Sequence, residues 1–258
     1  MNWEHKILLW RLKWIHFSGN DKKLKHIKIK DHKVGFEKSL EMVHAYREIF
    51  RDNIYAFPST VPHPLIIDCG AHIGVSVVFF KQLFRESRVI AFEPDPESFK
   101  LLSKNTNGLS AVDLVQKAVW IHDQGVHFAQ QGDMSSHIIN DKTATQGVSL
   151  PSARLRDYLT GPVDMLKMDI EGAEVDVLLD CKDRLHLVKN LFVEFHGMAN
   201  DPGKLEQLLS IFRECQLDYY IKPAADWAAT PFVNMVSKDG WDIQLNIFCI
   251  NNQFKAGK

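Results

Sequence analysis

Four side chains that can carry charge or move a proton fall in two short strings. Asp169 and Glu171 stand in LKMDIEGAE (166–174), and Glu194 and His196 stand in LFVEFHG (191–197). Each string opens on apolar residues that suit a buried strand, so all four sit where a strand ends. Such a cluster is costly unless it meets a cation, a proton donor or solvent. Two chemistries follow. His196, whose ordinary pKa lies near neutrality, can take a proton from a reacting hydroxyl, with Glu194 or Glu171 orienting or replacing it. Alternatively, Asp169, Glu194 and His196 hold a divalent cation that binds the hydroxyl. For Asp169 or Glu171 the plainer reading is a helix cap.

A second set of residues reads as a nucleoside site. In IIDCGAHIG (66–74), Gly70 permits a tight turn and close approach to the main chain, and Gly74 opens the following helix. His72 stands where a dinucleotide-binding turn has its second glycine, the one a pyrophosphate approaches. The departure favours a nucleoside ligand without phosphate. In VIAFEPD (89–95), Glu93 ends the next strand and can accept both ribose hydroxyls, while Pro94 directs the chain away.

These residues need a frame. Continuous apolar strands at 65–68, 89–93, 112–119, 164–169 and 190–194 alternate with helical stretches at 75–84, 96–105, 173–179 and 203–216. The alternation implies parallel crossovers with helices on both faces. Strands at 217–222 and 244–250 lack a helix between them and predict an antiparallel pair at the sheet edge. A hairpin at 125–139 on the rim carries Gly132, Asp133, Ser135, Ser136 and His137, either near an acceptor or as a plain polar turn. Ahead of the sheet, 2–17 predicts an amphipathic helix with Trp3, Ile7, Trp10 and Trp14 on one face. A hairpin turning at 31–33 and a helix over 37–50 follow.

The strings IIDCGAHIGVS, VIAFEPDP, VDMLKMDIEGAE and LFVEFH, in this order and spacing, resemble the FkbM family of class I methyltransferases over roughly residues 46–250. The resemblance implies a Rossmann-like α/β fold with a seven-stranded, mostly parallel sheet of order 3-2-1-4-5-7-6, the last strand antiparallel. It implies S-adenosylmethionine as methyl donor and a hydroxyl acceptor on a sugar or natural product. By position, Asp68, Gly70 and Gly74 line the methionine and ribose pocket, and Glu93 with Pro94 holds the ribose. Lys117 and Ala118 border the adenine, and Asp169 sits near the donor's amino group or sulfonium. His72 replaces an Asn frequent in the family and alters contacts near the methionine moiety. The competing readings are a nicotinamide-dependent oxidoreductase on a related sheet and a non-catalytic nucleoside-binding protein.

The chain divides into a basic extension, 1–45, and a methyltransferase domain, 46–258. Residues 1–38 carry ten Lys/Arg against four Asp/Glu, although the whole chain of 258 residues has net charge −1. That asymmetry suggests an anionic partner near the amino end, or simply a solvated surface. The Trp/Lys segment has three readings: an element on an anionic membrane surface, a platform for sugar rings, or a lid or dimer interface. An acidic body without an RNA-binding motif argues against nucleic acid. Four scattered cysteines and no spanning apolar stretch suggest a cytoplasmic protein, with peripheral contact at the inner membrane surface.

Overall fold

The computed structural model describes residues 3–18, 23–129, 147–225, 230–234 and 240–254. Its core is a seven-stranded sheet. In chain order the strands are β3 (Leu65–Cys69), β4 (Arg88–Phe92), β5 (Val112–Val115), β10 (Val163–Met168), β11 (Val188–Gly197), β12 (Leu217–Pro223) and β13 (Ile243–Asn251). Their spatial order is β5-β4-β3-β10-β11-β13-β12, the 3-2-1-4-5-7-6 order expected from the sequence. All neighbours are parallel except β13, which runs antiparallel to both β11 and β12. The final pair therefore lies at the edge as predicted, with β13 slotted inside β12.

Alternation along each strand divides the core in two. Ile66, Val89, Ala91 and Met165 face one layer, built with α3 (Val75–Leu83) and α4 (Pro96–Thr106). Ile67, Ile90, Leu166 and Met168 face the other, built with α5 (Glu174–Asp180) and α6 (Pro202–Glu214). Strands buried on both faces explain the unbroken apolar runs in the sequence.

The predicted strand at 112–119 is two elements. β5 stops at Val115, and β6 (Ala118–Trp120) leaves the sheet to pair in parallel with β9 (Ser152–Arg154). The rim hairpin also differs. β7 (Val126–Ala129) pairs with β8 (Gly147–Leu150), so its second strand lies beyond residue 139. Gly132, Asp133, Ser135, Ser136 and His137 lie outside the described residues.

The amino-terminal segment packs on the first layer. It comprises helix α1 (Trp3–Ser18), the hairpin β1 (Lys25–Ile29) and β2 (His32–Phe36), helix α2 (Ser39–Ala45) and a π-helical stretch (Tyr46–Arg51). Leu12, Ile27, Val34, Phe36 and Met42 join the same core cluster as Ile66 and Val77. One buried side chain ties the hairpin down. Asn105 of α4 accepts from Gly35 N at 2.7 Å and donates to Gly35 O at 2.9 Å and Ile73 O at 2.8 Å. Trp3, Ile7, Trp10 and Trp14 share a face as the spacing requires, but that face points to solvent, while Leu8, Leu9, Leu12 and Ile15 pack inward.

Candidate active site

The carboxyl ends of four strands are stitched together by backbone hydrogen bonds. Gly70 N and Ala71 N donate to Phe92 O, Glu93 N donates to Val115 O, and Asp169 N donates to Cys69 O. Gly70 takes a φ of +84°, and a Cβ there would overlap the carbonyl oxygen of Asp169. Glycine is thus required at this turn for conformation and for space. Gly74, at φ +86°, N-caps α3, and a Cβ would come within 2.7 Å of Leu102 on α4. Its bareness lets the two helices meet.

Glu93 is buried beside this turn. Oε2 accepts from His72 N at 2.7 Å and Oε1 from Asp95 N at 2.9 Å. Burial dominates its titration and pushes the carboxyl up to about 7, against the pull of the two backbone N–H groups. Each oxygen keeps an acceptor position beyond the bonds it already makes. His72 holds a left-handed φ of +48°, and its ring faces Glu41 of α2 at 3.9 Å. Pro94 is half-buried ahead of Asp95, which caps α4 through Ser98 N. Lys117 is exposed at the break between β5 and β6, and Ala118 is buried as β6 begins.

Behind the turn lies a buried lysine that the sequence reading passed over. Lys167 Nζ donates to Gly70 O at 2.8 Å and lies 3.2 Å from Asp68 Oδ1 and 3.4 Å from Asp169 Oδ2. Burial opposes its charge, but Asp68 and Asp169 outweigh burial and hold its pKa well above the ordinary value. Asp68 is wholly buried and also accepts from Ser76 Oγ. This ion triad clamps the glycine turn to the end of β10. A Lys inside a strand that is apolar but for Asp164 near its start was the signal for it.

The acidic rim comes together as the two strings predict. Ligand-capable atoms of Asp169, Glu171 and His196 lie within 4.8 Å of one another. His196 Nε2 is 3.7 Å from Glu171 Oε2 and 3.8 Å from Glu194 Oε1. Its Nδ1 lies 3.1 Å from Glu174 Oε1, which also accepts from Ile170 N and Gly172 N, each at 3.1 Å. Glu174 has no exposed surface, and the sequence reading had not singled it out. Burial works against a charged His196. Glu174, Glu171 and Asp169 prevail and raise its pKa to about 10. Glu194 moves the same way, to about 8, through burial and the nearby charge of Asp169.

Backbone strain shapes this rim. Glu171 has φ +55° and Gly172 φ +94°. A Cβ at Gly172 would run into the ring of Trp241, whose Nε1 donates to Glu171 Oε2 at 3.2 Å. A left-handed Glu costs about 1–3 kcal/mol and persists only where its surroundings fix it. Neither Asp169 nor Glu171 caps α5, whose N-cap is Ala173. Glu48, on the π-helical stretch, adds a further carboxylate. Burial raises its pKa first, with Asp169 contributing. Short π segments recur at functional sites, and nothing in the sequence pattern separates this one from an ordinary helix. Lys167 and His196 stand among Asp169, Glu171 and Glu194, and Arg47 and Arg51 offset Glu48. The rim therefore suits a positively charged ligand group.

A seven-stranded sheet of this order, with a glycine turn and a strand-end glutamate on adjacent strands, defines the class I methyltransferase fold. The M. jannaschii protein TYW2, solved in complex with AdoMet, shares it with TM-score 0.51 and 12% identity, over 88% of this chain and 85% of that one. Residues 68–219 match the Methyltransferase FkbM domain, and the chain belongs to the FkbM family. It is thus an S-adenosylmethionine-dependent methyltransferase, and the nicotinamide and non-catalytic alternatives are set aside. Methyltransferase 1 of Beauveria bassiana is 28% identical over 66% of this chain and 80% of its own length. The 2-O-methyltransferase NoeI of Sinorhizobium fredii is 25% identical over 56% of this chain and 68% of its own. The hexuronic acid methyltransferase AglP of Haloferax volcanii is 26% identical over 55% and 60%.

Proposed function

We propose that this methyltransferase delivers its methyl group to a hydroxyl oxygen of a sugar-containing acceptor. The observation that carries the reading is His196, buried between Glu171 and Glu194 at the strand ends beside the glycine turn, with its far nitrogen fixed by Glu174. That arrangement supplies a proton acceptor where an alcohol would need one. Relatives named as a 2-O-methyltransferase and a hexuronic acid methyltransferase support oxygen as nucleophile and a sugar as its bearer.

The residues present fit the donor. Glu93 has acceptor capacity left for two ribose hydroxyls. Lys117 and Ala118, two and three residues past the Val115 carbonyl that anchors Glu93, border the base. The Gly70–His72 backbone and Gly74 shape the turn that the donor follows, with Asp68 holding Lys167 behind it. The buried carboxylates at the rim favour a cation, and Asp169 lies nearest the turn. When bound, S-adenosylmethionine supplies an activated methyl on a positively charged sulfur.

The protein's own work is alignment and proton transfer. Holding acceptor oxygen and methyl in line contributes about 7–11 kcal/mol. In the free protein His196 keeps its proton. Next to an added positive charge its pKa falls and it yields that proton to solvent before the reaction, and the freed Nε2 then accepts the hydroxyl proton, with Glu194 sharing the charge that develops. Glu171, pinned by Trp241, flanks the same imidazole nitrogen and helps to orient it.

Incubating the protein with labelled donor and a panel of neutral sugars and hexuronic acids tests this, with the product read by NMR. The expected product is an O-methyl ether. Transfer to nitrogen or carbon alone would overturn the reading.

A further inference from the structure

Helix α1 carries two apolar stripes on opposite sides. At 3.6 residues per turn, Leu8, Leu9, Leu12 and Ile15 share one side and pack against α2 and the π-helical stretch. Trp3, Ile7, Trp10, Trp14 and Phe17 share the other and face solvent, Trp3 at 75%, Trp10 at 70% and Phe17 at 85% exposure. The exposed stripe is about 21 Å long. An apolar strip of that extent on a surface marks an interaction site.

Charge identifies the partner. Exposed Lys6 and Lys13 border the stripe on one flank, and exposed Arg11 borders it on the other, beside Glu4. Lys23 ahead of the following hairpin, and Lys28, Lys30 and Lys33 within it, are exposed. Bulky aromatic residues between rows of basic ones match the layer between lipid headgroups and acyl chains, where indole rings concentrate. A second copy packed antiparallel on this stripe would set Lys6 and Lys13 against their own counterparts, whereas anionic headgroups neutralise them. A nucleic acid would meet an apolar strip and then an acidic body. No helix of the described residues is long and apolar enough to cross a bilayer, so α1 would lie along its surface.

We infer that α1 docks this protein on an anionic lipid bilayer, with Trp3, Ile7, Trp10, Trp14 and Phe17 in the headgroup layer and Lys6, Arg11 and Lys13 on lipid charges. The inference is independent of the acceptor reading, because the stripe faces solvent whatever the site methylates.

Co-sedimentation of the full chain with vesicles tests it, using phosphatidylcholine alone and phosphatidylcholine with phosphatidylglycerol. The expected result is binding to the anionic vesicles, little to the neutral ones, and release by salt. Trp3→Ser with Trp10→Ser should weaken binding at least about tenfold. Lys6→Glu with Lys13→Glu should weaken it about fivefold or more for each charge. Both variants should keep wild-type calorimetric affinity for S-adenosylhomocysteine, which shows that they are folded. Absence of binding to anionic vesicles, or equal binding to neutral ones, overturns the inference. So does a stable dimer in sedimentation velocity that the Trp variant abolishes, which would assign the stripe to a second copy.

Discussion

Replacing Glu93 with Gln changes one atom and separates ribose recognition from a structural role. In the wild type each carboxylate oxygen already holds one backbone N–H, from His72 and from Asp95. The Gln oxygen can keep one of these. Its NH2 group then faces the other N–H, donor to donor, and cannot accept from a ribose hydroxyl. One charge-assisted hydrogen bond is lost and the other loses its charge, a cost of about 2–3 kcal/mol. That corresponds to a Kd for S-adenosylhomocysteine about 30–150-fold weaker, readable by calorimetry. A pH series adds a second reading. Burial raises Glu93 to about 7, and ribose hydroxyls prefer the ionised form. Lowering the pH from 8 to 6 therefore removes most of the competent carboxylate and weakens wild-type binding by about tenfold. The Gln variant should lack this dependence. A folded Gln variant binding within about twofold of wild type, or a wild-type affinity unchanged across that range, would refute the assignment.

Other perturbations address the rim and the turn. Glu174→Gln preserves an oxygen for Ile170 N and Gly172 N but removes the negative charge beside His196. The imidazolium then loses support, its pKa falls from about 10, and the rise of kcat with pH should move down by at least about one unit. An unmoved profile would dissociate His196 from proton transfer. Gly70→Ala forces a Cβ onto the Asp169 carbonyl at a left-handed φ. Strain alone costs about 1–3 kcal/mol, so Tm should fall by about 2–4 °C per kcal/mol and donor affinity should collapse. Exhaustive chelation should leave turnover intact, because in the proposed reaction the His196 Nε2 lone pair takes the hydroxyl proton and is not engaged by a metal. Activity lost to chelation and restored by a divalent metal would instead favour a cation held by Asp169 and His196 with Glu171 or Glu194.

Much of this site was legible because its parts are local. A glycine turn, a glutamate closing the next strand and two acid-rich strand ends each occupy a few consecutive residues, and parallel topology brings such ends together. What escaped was set by tertiary contact. Lys167 and Glu174 were visible as residues, but their partners, Gly70 O and His196, lie far along the chain. Trp241 reaches Glu171 from a loop with no periodic pattern, and Glu48 joins the rim through a π segment that reads as ordinary helix. The break after Val115 follows from β6 pairing with β9, a choice that hydrophobicity does not encode. In α1 the periodicity revealed an apolar stripe but not which side of the helix the body would claim.

The Asn105 amide has a practical consequence. It joins the first hairpin to the backbone just past the glycine turn, so removing the amino-terminal segment would strand this amide without Gly35 and take Leu12, Ile27, Val34 and Phe36 out of the core cluster. A shortened protein that no longer binds its donor would report a collapsed scaffold rather than a missing recognition element. The leading segment behaves as a keystone, and its role is best dissected one side chain at a time.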